Sequence, residues 1–89
     1  MPISDRKKNT ISKQEFFNDP SVRKSYRSTK NGVRMLKDRG APLEGADRLE
    51  WDHTHNDVEA YKGEKHLGSI DPLTKRLYKP AVPHRVVKN

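Results

Sequence analysis

Cysteine is absent from the 89 residues, so disulfides, thiolate metal centres and thiol nucleophiles are excluded, whereas a site built from His and carboxylates is not. Hydrophobic residues reach only 30% and aromatic ones 7%. A chain this short and polar buries little, which excludes a second catalytic lobe and a large enclosed cofactor pocket. Long apolar runs are missing too. None approaches the ~20 residues of a membrane span, and Ile3-Ser4-Asp5-Arg6-Lys7-Lys8 leads into polar residues rather than the apolar stretch of a secretory signal. The chain has neither a phosphate-cradling Gly-rich loop nor a nucleophile elbow.

What the chain does carry is charge. Lys and Arg number 19 against 12 Asp and Glu, a net +7 that favours a polyanion, nucleic acid or an acidic protein, as partner. The distribution is uneven: residues 1–46 carry net +6, residues 47–59 net −4 and residues 60–89 net +5. The acidic knot Asp47, Glu50, Asp52, Asp57 and Glu59 therefore sits between basic flanks. A protein that only clamped phosphates would gain by losing these carboxylates, because each repels the ligand that the flanks attract. They are either a solvated face that pairs with nearby cations or the acid/base groups of phosphodiester chemistry.

Two halves are expected, a basic helical region over 1–46 and a sheet region over 47–89, together making one α+β domain of N-terminal helices followed by a small antiparallel sheet. Ser12 and Glu15 have capping-box spacing, and Asp19-Pro20 supplies a second helix start. Beyond it Val22, Tyr26, Val33 and Leu36 recur near a 3.6-residue period, which predicts a helix up to Gly40, broken in two at Asn31-Gly32. Its polar face, Arg23, Lys24, Arg27, Lys30, Arg34 and Lys37, would either follow RNA backbone or be solvated. Ala41 to Ala46 reads as a connector. Then the period changes to two. Leu49 and Trp51, and Val58 and Ala60, alternate with polar residues as half-buried strands; Gly63-Glu64 and Asp71-Pro72 are turns around strands near His66–Ile70 and Arg76–Tyr78, and Val86-Val87 would be a last strand.

The densest polar constellation is Asp52, His55, Asp57 and Glu59. RNA scission by the neighbouring 2′-hydroxyl needs a base, an acid and a cation to steady the phosphorane, and it asks for no metal or cofactor. The spacing allows more than one geometry. On a helix, positions 52, 55 and 59 form one stripe that can chelate a metal. In a straight strand His55 and Glu59 lie about 13 to 14 Å apart, too far to serve one phosphate, unless the chain bends at His55-Asn56-Asp57. A rival metal set is His53 and His55 with Asp52 or His66. Trp51 reads as core, while Tyr61 and Tyr78 are candidates for stacking on bases, with Lys62, Lys79 and Lys88 as cations for RNA phosphates.

Glu50-Trp51-Asp52 with His55, Glu59 and Tyr61, then His66-Leu67-Gly68-Ser69-Ile70-Asp71-Pro72 and Pro83-His84-Arg85, resembles the cytotoxic domain of the ribosome-inactivating colicins and cloacin, from about Leu49 to Arg85. The resemblance implies a strongly twisted antiparallel sheet with a short helix. It also implies a bacterial ribonuclease toxin that cuts small-subunit (16S) ribosomal RNA in the decoding centre without a cofactor. Its catalytic Asp, His, Glu and Arg fall on Asp52, His55, Glu59 and Arg85. The family carries Gly where this chain has Asn56 and Glu where it has Asp57, which leaves Asp57 as a second candidate carboxylate. The implied partners are the ribosome and an acidic immunity protein or antitoxin. The implied place of action is the bacterial cytoplasm, reached as a free-standing toxin or as the tip of a larger delivered or secreted protein. A non-catalytic basic RNA-binding module is the alternative reading.

Overall fold

The computed structural model describes residues 11–81. Ser12 and Glu15 form the expected reciprocal cap, Glu15 N donating to Ser12 Oγ at 3.0 Å and Ser12 N to Glu15 Oε1 at 3.1 Å, and this starts α1 (Lys13–Asn18). Asp19 then caps α2 (Pro20–Arg23) by accepting from Ser21 N at 2.9 Å, with Pro20 where its missing N–H costs nothing. Both helices are short, and the described chain is mostly β.

The helix expected to run on from α2 towards Gly40 is not formed. In its place stand β1 (Tyr26–Ser28) and β2 (Arg34–Leu36), an antiparallel hairpin whose turn contains Asn31-Gly32. Tyr26 and Leu36 are directly paired, so the hairpin keeps these two on one side as the helix would have done, while Val22 stays in α2 and Val33 precedes β2. The deciding residues are in the turn. Gly32 takes φ +76°, which costs a glycine little, and Thr29 closes the loop by donating N–H and Oγ1–H to Val33 O, each at 2.9 Å.

Four further strands follow in chain order: β3 (Arg48–Asp52), β4 (Asp57–Lys62), β5 (Lys65–Asp71) and β6 (Arg76–Pro80). Each pairs with the next, giving a six-stranded antiparallel sheet in the order β1 to β6. Because β2 pairs with β3, strands from both sides of position 46 belong to one sheet. The connector before β3 is pinned by Tyr26, whose hydroxyl donates to Ala46 O at 2.7 Å and accepts from Leu43 N at 2.8 Å.

Pairing sorts the side chains into two faces, since directly opposed residues point the same way. Trp51, Val58 and Ile70 fall on one face, as do Leu49 and Ala60. Phe16, Phe17 and Val22 from the helices close over this face to make the core, and Trp51 packs edge-on to Phe17 with centroids 6.2 Å apart. Gly68 lies in the same row as Ala60, where β5 and β6 come together: an added Cβ would stand 2.5 Å from Lys79 O. The expected strand at Val86-Val87 lies outside the described residues.

Candidate active site

The other face of the sheet is polar, and the register builds it in rows. Glu50, Glu59, Ser69 and Lys79 are successive partners across β3 to β6; Arg48, Tyr61 and His66 make a second row; Asp52 faces Asp57. The four residues between β3 and β4, His53 to Asn56, form a tight turn, with Asn56 at φ +55°. This is the bend that the acidic knot required. It rules out the single-helix stripe, because Asp52 and Glu59 now belong to different strands.

The turn also fixes His55. Asp52 Oδ1 accepts from Thr54 N at 2.9 Å and His55 N at 3.2 Å, while Asp52 Oδ2 lies 2.9 Å from His55 Nδ1. Burial pushes the Asp52 carboxyl up, but the hydrogen bonds from the His55 ring, His55 N and Thr54 N outweigh it and hold the group below its ordinary value. An ionised Asp52 keeps the ring hydrogen of His55 on Nδ1. The other ring nitrogen then faces outward from a side chain that is 58% exposed.

Glu59 is held differently. It is 8% exposed, with Oε1 at 2.5 Å from His66 Nε2 and Oε2 accepting from Ser69 Oγ at 2.9 Å. The sequence singles out His66 only in a rival metal set and, with Ser69, in the motif resemblance; it marks neither as a partner of Glu59. The signal for Ser69 was its place in register opposite Glu59, legible only once the sheet was known. Asp57 is fully buried and accepts from the Tyr78 hydroxyl through Oδ2, while its Oδ1 has no hydrogen-bond partner. Burial, aided by the charges of Glu59 and Asp52 and opposed by Tyr78 and Lys79, pushes the Asp57 carboxyl above its ordinary value.

Asp52, Asp57 and Glu59 converge, one oxygen from each lying within 4.8 Å of the others. Among the described residues this all-carboxylate group is the one with the reach to share a cation, and the histidine sets built on His53 and His55 or on His66 do not have it. Tyr61 lies beside the group with its ring already in contact, Arg48 over it at 4.3 Å and His66 at 5.1 Å. The Tyr78 hydroxyl is committed to Asp57. Lys79 shares the face of Glu59 through its pairing with Ser69, Lys62 is exposed at the far end of β4, and Arg85 and Lys88 lie outside the described residues.

The site thus offers a carboxylate-oriented imidazole beside an anchored carboxylate and a buried second one, the parts needed to move a proton off one oxygen and onto another. No helix among the described residues is long and apolar enough to cross a membrane. Compared with known protein families, residues 18–88 match the family model described as Cytotoxic. The match reaches back to Asn18, beyond the Leu49 at which the motif resemblance begins, and so takes in β1 and β2. No curated protein and no solved structure matches the chain.

Proposed function

Since the chain belongs to the family of colicin and cloacin cytotoxic ribonuclease domains, we propose that it is a toxin endoribonuclease that cuts small-subunit ribosomal RNA in the decoding centre and so blocks translation. The observation that carries the reading is the meeting of the Asp52–His55 pair with Asp57 and Glu59 on one sheet face. Glu59 takes the proton of the 2′-hydroxyl, the 2′-oxygen bonds to phosphorus, and the bond from phosphorus to the 5′-oxygen breaks. His55, acting as the imidazolium with its Nδ1–H held by Asp52, gives its Nε2 proton to the departing oxygen, leaving a 2′,3′-cyclic phosphate and a 5′-hydroxyl. Arg85, carried over from the family, steadies the phosphorane. The nucleophile is the RNA's own hydroxyl, so the scheme asks for no metal.

Support for an acidic inhibitor comes from the net charge of +7 and from the need of a producing cell to neutralise the toxin. The place of action follows from the substrate, in the bacterial cytoplasm where ribosomes are. The test is incubation of intact ribosomes with the purified chain in EDTA. One new 3′ fragment of small-subunit RNA is the expected result. Intact RNA at stoichiometric protein would leave a non-catalytic RNA-binding module, and cleavage abolished by EDTA and restored by a divalent cation would assign the three carboxylates to a metal.

A further inference from the structure

On the helix side of the sheet, α1 and the β1–β2 hairpin enclose a groove that the catalytic face does not use. Lys13, Lys30 and Arg34 line one part, and Arg23, Arg27 and Lys37 line its continuation, the two parts sharing Phe17, Asn18, Ser28 and Arg34. No carboxylate lines either part. The helix expected in the sequence would have strung five of these cations along one face; the hairpin gathers them around a recess instead.

Arg34 is the organising residue. Its guanidinium lies 4.3 Å from the Phe17 ring centroid, and one terminal nitrogen donates to Gly32 O at 2.9 Å and Ser28 Oγ at 3.2 Å. It has no ion pair among the described residues. A guanidinium held in place with donors to spare and no carboxylate partner is prepared for an external anion, and Lys13 and Lys30 add charge on either side of it.

One part of the groove lies at the His55 end of the sheet. Arg34 pairs with Leu49, and β2 runs antiparallel to β3, so the chain before Arg34 extends alongside Trp51 and Asp52. The hairpin tip and the His55 turn are therefore at the same end of the sheet. Phe17 links them, lining the groove and touching Trp51 beside Asp52. β1 is two strand spacings from β3, about 10 Å, a span of roughly three stacked nucleotides. An RNA whose scissile phosphate sits at His55 has to carry its neighbouring phosphates past this end, whereas an acidic protein is under no such constraint.

We propose that this groove binds phosphates of the substrate RNA a few nucleotides from the cut, with Arg34 as the anchor and Lys13 and Lys30 as its flanks. The proposal rests on the ribonuclease reading. Its test is the salt dependence of binding to purified small ribosomal subunits, measured in a Glu59→Gln chain so that nothing is cut. Lys13→Gln with Lys30→Gln should make the slope of log K against log salt shallower by about 1.4 to 1.8, the loss of two phosphate contacts. Lys65→Gln, a charge loss at the start of β5 and at the opposite end of the sheet from the hairpin tip, should leave the slope as it was. Arg34→Gln should weaken binding further, and circular dichroism separates that loss from unfolding caused by losing the Phe17 contact.

A folded double variant with an unchanged slope overturns the proposal. So does a double variant that keeps its RNA affinity and loses only binding to poly-glutamate, which would give the groove to an acidic protein. If the unmodified chain fails to cut ribosomes while the slope shifts, the ribonuclease reading falls and the phosphate groove stands. If it cuts and the slope does not move, the groove alone falls.

Discussion

His66 Nε2 stands 2.5 Å from Glu59 Oε1, while the ring's other nitrogen, Nδ1, is buried with no hydrogen-bond partner. Placing the ring hydrogen on Nε2 leaves no buried N–H unpartnered and lets His66 donate to the carboxylate. With Ser69 on the other oxygen, Glu59 is fixed in one orientation from two sides.

His66→Ala should therefore slow ribosome cleavage by about 10²-fold through misplacement of the base, with much less effect on KM. His66→Gln, which keeps a donor, should recover part of the rate. Single-turnover kinetics beside circular dichroism checks this, and a folded His66→Ala chain cutting at the normal rate would remove His66 from the mechanism.

The same logic gives a different result at His55. Its side chain is 58% exposed, so His55→Ala should lower Tm only by what the hydrogen bond to Asp52 contributes, while costing roughly 10²- to 10⁴-fold in rate. Asp52→Asn should also slow cleavage, because an amide that presents NH₂ to the ring no longer holds the hydrogen on Nδ1. Nitrogen-15 chemical shifts of the His55 ring read the tautomer directly. An unchanged ring spectrum in Asp52→Asn would show that something else orients His55.

The second half of the chain was legible because its period-two alternation agreed with its turn residues; Leu49, Trp51, Val58 and Ala60 are all inward on the sheet, as that alternation requires. The first half was not. Of the helical set Val22, Tyr26, Val33 and Leu36, Tyr26 and Leu36 suit a hairpin as well as a helix, and the turn around Asn31-Gly32 goes with the hairpin. At the site, Asp52 and His55 were readable from local spacing because their contact spans only a turn. The partners of Glu59 and Asp57 come from β5 and β6, and which residue of β6 opposes which of β5 depends on a register shift between Ser69 and Ile70 that no local pattern encodes.

Tyr26 tests how far the first half depends on the hairpin. Tyr26→Phe strips a buried hydroxyl that serves both Ala46 O and Leu43 N, at a cost of about 1–3 kcal/mol. For a domain of this size that is a fall in Tm of several degrees, about 4–8 °C per kcal/mol. A Tm equal to the unmodified chain's would mean that the connector is held by other contacts.

Asp57 and Asp52 should tilt stability in opposite directions with pH. Burial raises the Asp57 pKa in the fold, so folding favours its protonated form; the stabilisation is complete below the unfolded value, about 3.9, and is lost as pH rises through the folded pKa. Asp57→Asn keeps an acceptor for the Tyr78 hydroxyl without the buried charge. Its Tm should accordingly gain on the unmodified chain's as pH rises from about 4 towards 7. For Asp52 the folded pKa is depressed, so its contribution is present above about 3.9 and disappears as pH falls through the lower folded value. Asp52→Asn should be the less stable chain at neutral pH and converge with the unmodified one in acid. Thermal melts of the three chains across this range measure both slopes. A parallel Tm offset for Asp57→Asn at every pH would mean that Asp57 ionises in the fold as readily as in the unfolded chain, and that the crowding of three carboxylates is relieved elsewhere.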